Sequence, residues 1–155
     1  MKKIIFCSLL TFALCACKNN NKKVPEDEVD DKIKMMDADR AFSRLSEAKG
    51  MKSAFLDYID SNGVLLRPNH LPLVGADAID YLIQQNDSSY TLKWEPKNGV
   101  VAASGDLGYT YWLYVLRPTT KDTLIYGNYV SIWKKQKDGS WKFVLDTGNQ
   151  GIGEE

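Results

Sequence analysis

The chain has 155 residues, with 20 basic and 20 acidic side chains, so it carries no net field to attract nucleic acid or an anionic bilayer. Its three cysteines, Cys7, Cys15 and Cys17, all lie at the front, and one histidine, His70, is present, which excludes a zinc site of ordinary composition. With no cysteine after residue 17, a folded body must cohere through its apolar core and not through disulfides.

Lys2 and Lys3 precede an apolar run of 13 residues, Ile4 to Ala16. A membrane-spanning helix needs about 20 such residues, so the run reads as a secretory signal. Its ending, Leu14-Cys15-Ala16-Cys17, resembles the lipobox of bacterial lipoproteins. That resemblance implies cleavage after residue 16 and Cys17 as the lipidated first residue. Cleavage removes two lysines and no acid, leaving 18 basic against 20 acidic residues. Attachment to a membrane then rests on acyl chains alone. Lys18 stands where enteric bacteria place an aspartate for inner-membrane retention, which points to the outer membrane of the cell envelope. Residues 17–25 hold no apolar cluster and read as a polar tether. Eight extended residues span roughly 25 Å. Residues 26–155 suit a single domain.

Pro25 and the acids that follow it mark a helix start, and Met35, Ala38, Phe42 and Leu45 recur on one face up to Gly50. Met51 to Ile59 predicts a second helix with Ala54, Phe55 and Tyr58 on a face. Asn62-Gly63 predicts a turn, Val64 to Arg67 a strand, and the segment around His70 a loop. Ala76 to Gln85 predicts a third helix with Ile79, Leu82 and Ile83 inward. From Tyr90 the period becomes two, with strands expected over 90–94, 100–103, 107–117, 124–135 and 140–147. Asp138-Gly139 joins the last two as a hairpin. Helices first and hairpin-linked strands after make an α+β domain, three N-terminal helices packed on a curved, mainly antiparallel sheet.

The segments Ala38-Asp39-Arg40-Ala41-Phe42, Gly50-Met-Lys-Ser-Ala-Phe55, Leu66-Arg67-Pro68, Gly75-Ala-Asp-Ala-Ile79, Leu92-Lys-Trp94-Glu-Pro96, Ser104-Gly-Asp-Leu-Gly-Tyr-Thr110, Gly127-Asn-Tyr129 with Trp133, and Asp138-Gly-Ser-Trp-Lys142 with Asp146-Thr-Gly-Asn149 span nearly the whole domain. In order and spacing they resemble the nuclear transport factor 2-like superfamily, and within it a SnoaL-like bacterial domain of unknown function. The resemblance implies a cone-shaped, cystatin-like fold with a pocket between the helices and the concave sheet. Where that family tends to have Gly, this chain has Trp112. Superfamily members include isomerases, hydrolases, cyclases and plain binding modules, so the fold does not choose among them.

The aromatic strands carry the functional signal. Tyr109, Tyr111, Tyr129 and Trp133 are expected to face the cavity, joined by Asp39, Phe42, Phe55, Tyr58, Arg67 and Trp94, while Trp112 and Tyr114 face away. Rings with one polar tip suit a small apolar or aromatic ligand. Asp39, on the apolar face of the first helix, is the best catalytic candidate as an acid or base whose pKa burial would raise; alternatively it accepts hydrogen bonds or pairs with Arg67. Asp106 reads as a turn residue and Asp146 as a strand end. The Asp57/Asp60 and Asp77/Asp80 pairs read as solvated faces. Neither a Ser-His-Asp set nor a phosphate loop can be assembled, and no metal or cofactor is implied. Three functions remain open: a lipid-anchored pocket protein that dimerises through its sheet, a cone-fold enzyme using Asp39 with Tyr58 or Tyr111, and a docking module.

Overall fold

The structure, a computed structural model, describes residues 26–152, with side chains from residue 29. The signal-like segment, Cys17 and the tether lie outside the described residues. The chain runs α1 (Glu26–Lys49), α2 (Met51–Tyr58), β1 (Ile59–Leu66), β2 (Leu73–Val74), α3 (Ala76–Gln84), β3 (Tyr90–Trp94), β4 (Asn98–Val101), β5 (Leu107–Pro118), β6 (Ile125–Lys135) and β7 (Trp141–Gln150). Among the described residues, seven strands join one sheet in the order β2-β1-β7-β6-β5-β3, with β4 also paired to β5. Of these pairings β1 with β7 is parallel and the others are antiparallel.

α1 ends where Gly50 takes φ 92°, a left-handed conformation that glycine adopts without strain. On its buried side Met35 and Phe42 lie with Asp39, Ser43 and Ser46. Polar residues on a core-facing stripe need partners, and β3 supplies them. The Ser43 hydroxyl accepts from Trp94 N at 2.8 Å and donates to Trp94 O at 2.5 Å; Ser46 donates to Leu92 O at 2.7 Å. α1 therefore covers the edge of β3, whose unpaired backbone would otherwise invite another strand.

α2 lacks a side-chain cap of its own. Asp87, from the loop after α3, takes that role by accepting from Lys52 N at 2.7 Å. In α3, Ala78 and Leu82 are buried, but Ile83 is 54% exposed, against the expectation that it points inward. The inward stripe runs through Ala78 and Leu82, four apart, so Ile83 is rotated one residue beyond it. Asn62-Gly63 also departs from expectation: β1 runs through it, with a register shift against β7 between Ile59 and Val64. The turn chemistry survives as a bulge, in which Asp60 accepts from Asn62 N at 2.9 Å. A Cβ at Gly63 would lie 2.5 Å from Ile59 Cγ1, so the bulge requires glycine there.

The closed half of the cone is filled. Phe42 meets the rings of Phe55, Tyr58, Trp94, Trp133 and Phe143 at centroid distances of 4.6–6.1 Å, in both edge and stacked arrangements. Ser43→Ala leaves both polar groups of Trp94 at that edge without their partner. It should lower stability by about 1–3 kcal/mol, read as a lower urea midpoint at unchanged m; an unchanged midpoint would mean that water replaces the hydroxyl.

Candidate functional site

The open half of the cone holds a cavity of about 260 Å³. Its apolar walls come from Met51 and Phe55 of α2, Leu92 and Trp94 of β3, and Leu116 of β5; Tyr81, Tyr90, Tyr114 and Tyr129 add rings with hydroxyl tips. Polar groups enter from Arg67, Gln85, Asp146, Thr147 and Gln150. Small inward residues make this space. A Cβ on Gly127 would lie 2.4 Å from Tyr114 Cζ, so the Tyr114 ring rests against bare backbone.

Arg67 and Asp146 form the polar centre of the wall. Arg67 Nη2 donates to Asp146 Oδ1 at 2.7 Å, and Nη1 donates to the main-chain oxygens of Asp146 and Leu66 at 3.1 and 3.0 Å. Asp146 Oδ2 accepts from Ser131 Oγ at 2.7 Å. Burial raises the Asp146 carboxyl above its ordinary range, while Arg67 and Ser131 oppose that shift. The Arg67 guanidinium carbon stands 5.5 Å from the centroid of the Phe55 ring.

Asp39 lies beneath the cavity floor. It is 0% exposed and accepts from Trp94 Nε1 at 2.6 Å and from Tyr129 OH at 2.9 Å. Thr110 Oγ1 accepts from Trp133 Nε1 at 2.8 Å. Desolvation raises the Asp39 carboxyl to about 6, against the opposing pull of the Thr110 hydroxyl, Trp94 and Tyr129. Burial and the neighbouring Asp39 charge push the Tyr129 hydroxyl up as well. Asp39 thus has no surface on the cavity; it positions Trp94 and Tyr129, which do.

Of the residues expected to line the pocket, Phe55, Arg67, Trp94 and Tyr129 lie on it. Asp39, Phe42 and Trp133 sit in the packed interior, and Tyr58 stacks on Phe42 at 5.0 Å. Arg67 pairs with Asp146, not with Asp39. Tyr109 and Tyr111 require correction: they are 42% and 40% exposed on the other face of β5. Gly108 and Thr110 are the inward residues of that stretch, because Met35 and Trp133 already occupy the space above them. Tyr114 shares the inward parity and enters the pocket, against expectation. Trp112 is exposed beside Lys97, with Nζ 5.2 Å from its ring centroid, and fills none of this cavity. Asp106 lies in its turn and accepts from Ser104 Oγ at 2.5 Å; His70 is an exposed loop residue 5.2 Å from Tyr81 between ring centroids. Among the described residues, no group of three acids, histidines or cysteines is placed to hold a metal.

Sequence reasoning missed Tyr81, Tyr90 and Tyr114. The signal that could have found Tyr114 is register, since it pairs with Trp94 as Leu116 pairs with Leu92.

Solved structures resemble this arrangement over most of its length. A ketosteroid isomerase-like protein from Erwinia carotovora atroseptica superposes with a TM-score of 0.61 at 14% identity, over 84% of this chain and 100% of that one. A nuclear transport factor 2-like protein with a cystatin-like fold from Novosphingobium aromaticivorans gives 0.64 at 12% identity, over 81% and 85%. A protein of the same type and of unknown function from Pseudomonas putida gives 0.66 at 10% identity, over 82% and 91%. The fold is nuclear transport factor 2-like. No family model matches the chain, and no curated protein does. At these identities the likeness establishes the cone fold, with its helices over a curved sheet, and leaves function to the site itself.

The Asp39 carboxyl binds its proton more tightly in the folded chain, at about 6 against an ordinary 3.8. Between those values the folded state holds more protons than the unfolded one, so this group's contribution is full below 3.8 and is lost as pH rises through 6. Wild type should gain on the order of 3 kcal/mol from this group between pH 7 and pH 4. Asp39→Asn should flatten that part of the profile and cost about 1–3 kcal/mol at pH 7, both read from urea unfolding at several pH values.

Proposed function

We propose that this chain is a lipid-anchored protein of the bacterial cell envelope, held at the outer membrane, whose cone binds a small apolar or aromatic molecule. The observation that carries the pocket reading is the open, ring-walled cavity with a single ion pair in its wall. Such sites combine apolar surface for affinity with a few polar groups for orientation. At about 260 Å³ the cavity lies at the small end of ligand pockets, which commonly run from about 300 Å³ upward.

The lipid anchor rests on Leu14-Cys15-Ala16-Cys17; among the described residues no helix is long and apolar enough to cross a bilayer. Cys17→Ala should move the protein from the membrane to the soluble fraction. Tight retention of that variant in washed membranes counts against lipidation.

Binding is favoured over catalysis by Asp39. A general acid or base must come within hydrogen-bond reach of its substrate, and Asp39 is sealed behind Trp94 and Tyr129. Tyr111, a proposed oxyanion donor, lies on the opposite sheet face. A reaction in this cavity would have to use Asp146 or the tyrosine hydroxyls.

A second copy of the chain is the proposed partner of the outer sheet face. Tyr109, Tyr111, Val100 and Leu107 are exposed there, and Tyr109 and Tyr111 stand 6.2 Å apart between ring centroids. An exposed apolar patch of this kind commonly marks an association surface. Docking of another envelope protein is the competing use of the same face. Tyr111→Lys should convert a dimer to a monomer in sedimentation equilibrium; a wild-type chain already monomeric at high concentration favours the docking reading.

The pocket itself is tested by mass spectrometry of whatever the purified protein releases on denaturation. Wild type should release a bound small molecule, and Leu116→Trp, which fills the wall, should release none while keeping the same circular dichroism. Release of nothing by wild type, together with no effect of the tryptophan on any added ligand, removes the pocket reading.

A further inference from the structure

Among the described residues, Arg67 is the only basic side chain lining the cavity, and Asp146 the only acidic one. A guanidinium has five N–H donors arranged as two forks, one at its end and one along its Nε side. Here the end is fully occupied: Nη1 bonds Leu66 O and Asp146 O, and Nη2 bonds Asp146 Oδ1. The Nε proton and the second Nη2 proton have no acceptor among the described residues. Nε is not sealed from solvent, because Trp141 Nε1 is the sole buried side-chain nitrogen or oxygen without a partner among the described residues, and the Arg67 side chain, 19% exposed, lines the cavity. One complete, coplanar fork on the wall of an apolar cavity is thus left unfilled.

We propose that this fork receives the carboxylate of a small, flat ring compound, whose body lies against the tyrosine and tryptophan rings of the cavity. This inference rests on the pocket reading above and names the ligand class for it. A carboxylate fits because its two oxygens match the spacing and plane of the fork. A single negative charge fits better than a dianionic phosphate, since among the described residues no second cation lines the cavity and Asp146 is nearby. Asp146 cannot compete for the ligand's acceptor role: both its oxygens are engaged, one by Arg67 and one by Ser131. Its part is to hold the guanidinium at a fixed angle over Phe55, with the unfilled side turned away from the pair. The cavity's rings accept an aromatic body by stacking and edge contacts, and Tyr90 and Tyr114 are both partly buried.

The test uses the full-length protein in detergent and two matched pairs of probes, phenylacetate with phenylacetamide and indole-3-acetate with indole-3-acetamide, titrated by calorimetry. The acid of at least one pair should bind about tenfold or more tightly than its amide, the scale expected for a charge-assisted bidentate contact. Arg67→Lys keeps the charge and loses the fork, and should erase most of that preference. Because a lone change at Arg67 strips Asp146 of its partner, the double variant Arg67→Gln with Asp146→Asn removes both charges together. It should bind the acid and the amide of each pair with equal affinity. Equal binding of acid and amide by wild type overturns the carboxylate assignment while leaving the pocket intact. So does a preference that survives in both variants, which would place the anion elsewhere. If none of the four probes binds at millimolar concentration, this ligand class is wrong. The broader pocket reading is judged separately, by the ligand-release measurement with Leu116→Trp.

Discussion

One carboxylate, fully withdrawn from water, ties the helical layer of this protein to its sheet. Asp39 projects from α1 and accepts hydrogen bonds from Trp94 on β3 and Tyr129 on β6. Burying an ionisable group is costly unless its hydrogen-bonding capacity is met, and here donors from two strands engage both of its oxygens. Placement follows from that requirement. α1 can lie at only one height and rotation on the sheet if Asp39, Ser43 and Ser46 are all to find their partners at once. Apolar packing around Phe42 would tolerate small slips; directional bonds to a sealed carboxylate do not.

That constraint reaches the cavity without touching it. Trp94 and Tyr129 each turn their polar atom down to Asp39 and their ring up to the pocket floor. The floor is therefore held from below, so a ligand would meet rings already oriented, with little side-chain entropy left to lose. The same economy explains the small residues of the sheet. Gly108 and Thr110 admit Met35 and Trp133 on the closed side, while Gly127 admits Tyr114 on the open side. The cone is divided into a filled half and a hollow half by where side chains are missing.

The layered architecture was legible in the sequence because it depends on local signals: the 3.6-residue stripe of α1, the stop at Gly50, the alternation after Tyr90 and the Asp138-Gly139 hairpin. The identity of the cavity wall was less so, for a physical reason. Alternation separates the two faces of a strand but does not say which one meets the helices. In β5 the large rings at Tyr109 and Tyr111 suggest the inner face, yet the inner positions go to Gly108 and Thr110 because Trp133 and Met35 fill that space from other elements. Only the pairing of Trp94 with Tyr114 resolves the choice, and it depends on β3 and β4 both lying along β5, an arrangement no local pattern encodes. Arg67 was recognised as a pocket residue, but its partner was not, since Asp146 is 79 residues away and reaches it only through the parallel pairing of β1 with β7.

That distant pair bears on what the cavity is for. A partly buried ion pair is a poor stabilising device, because desolvation of both charges offsets most of their attraction and an apolar pair of similar volume does as well or better. Arg67 and Asp146 stand where apolar neighbours such as Leu92, Leu116 and Phe55 would extend a dry wall without difficulty. What an apolar wall cannot offer is a donor pair fixed in angle and open to the hollow. Asp146, anchored by Ser131 and by its own strand, engages the end of the guanidinium. Stability gives little reason to keep such a pair in the wall; the proposed recognition of a carboxylate would give its position a use.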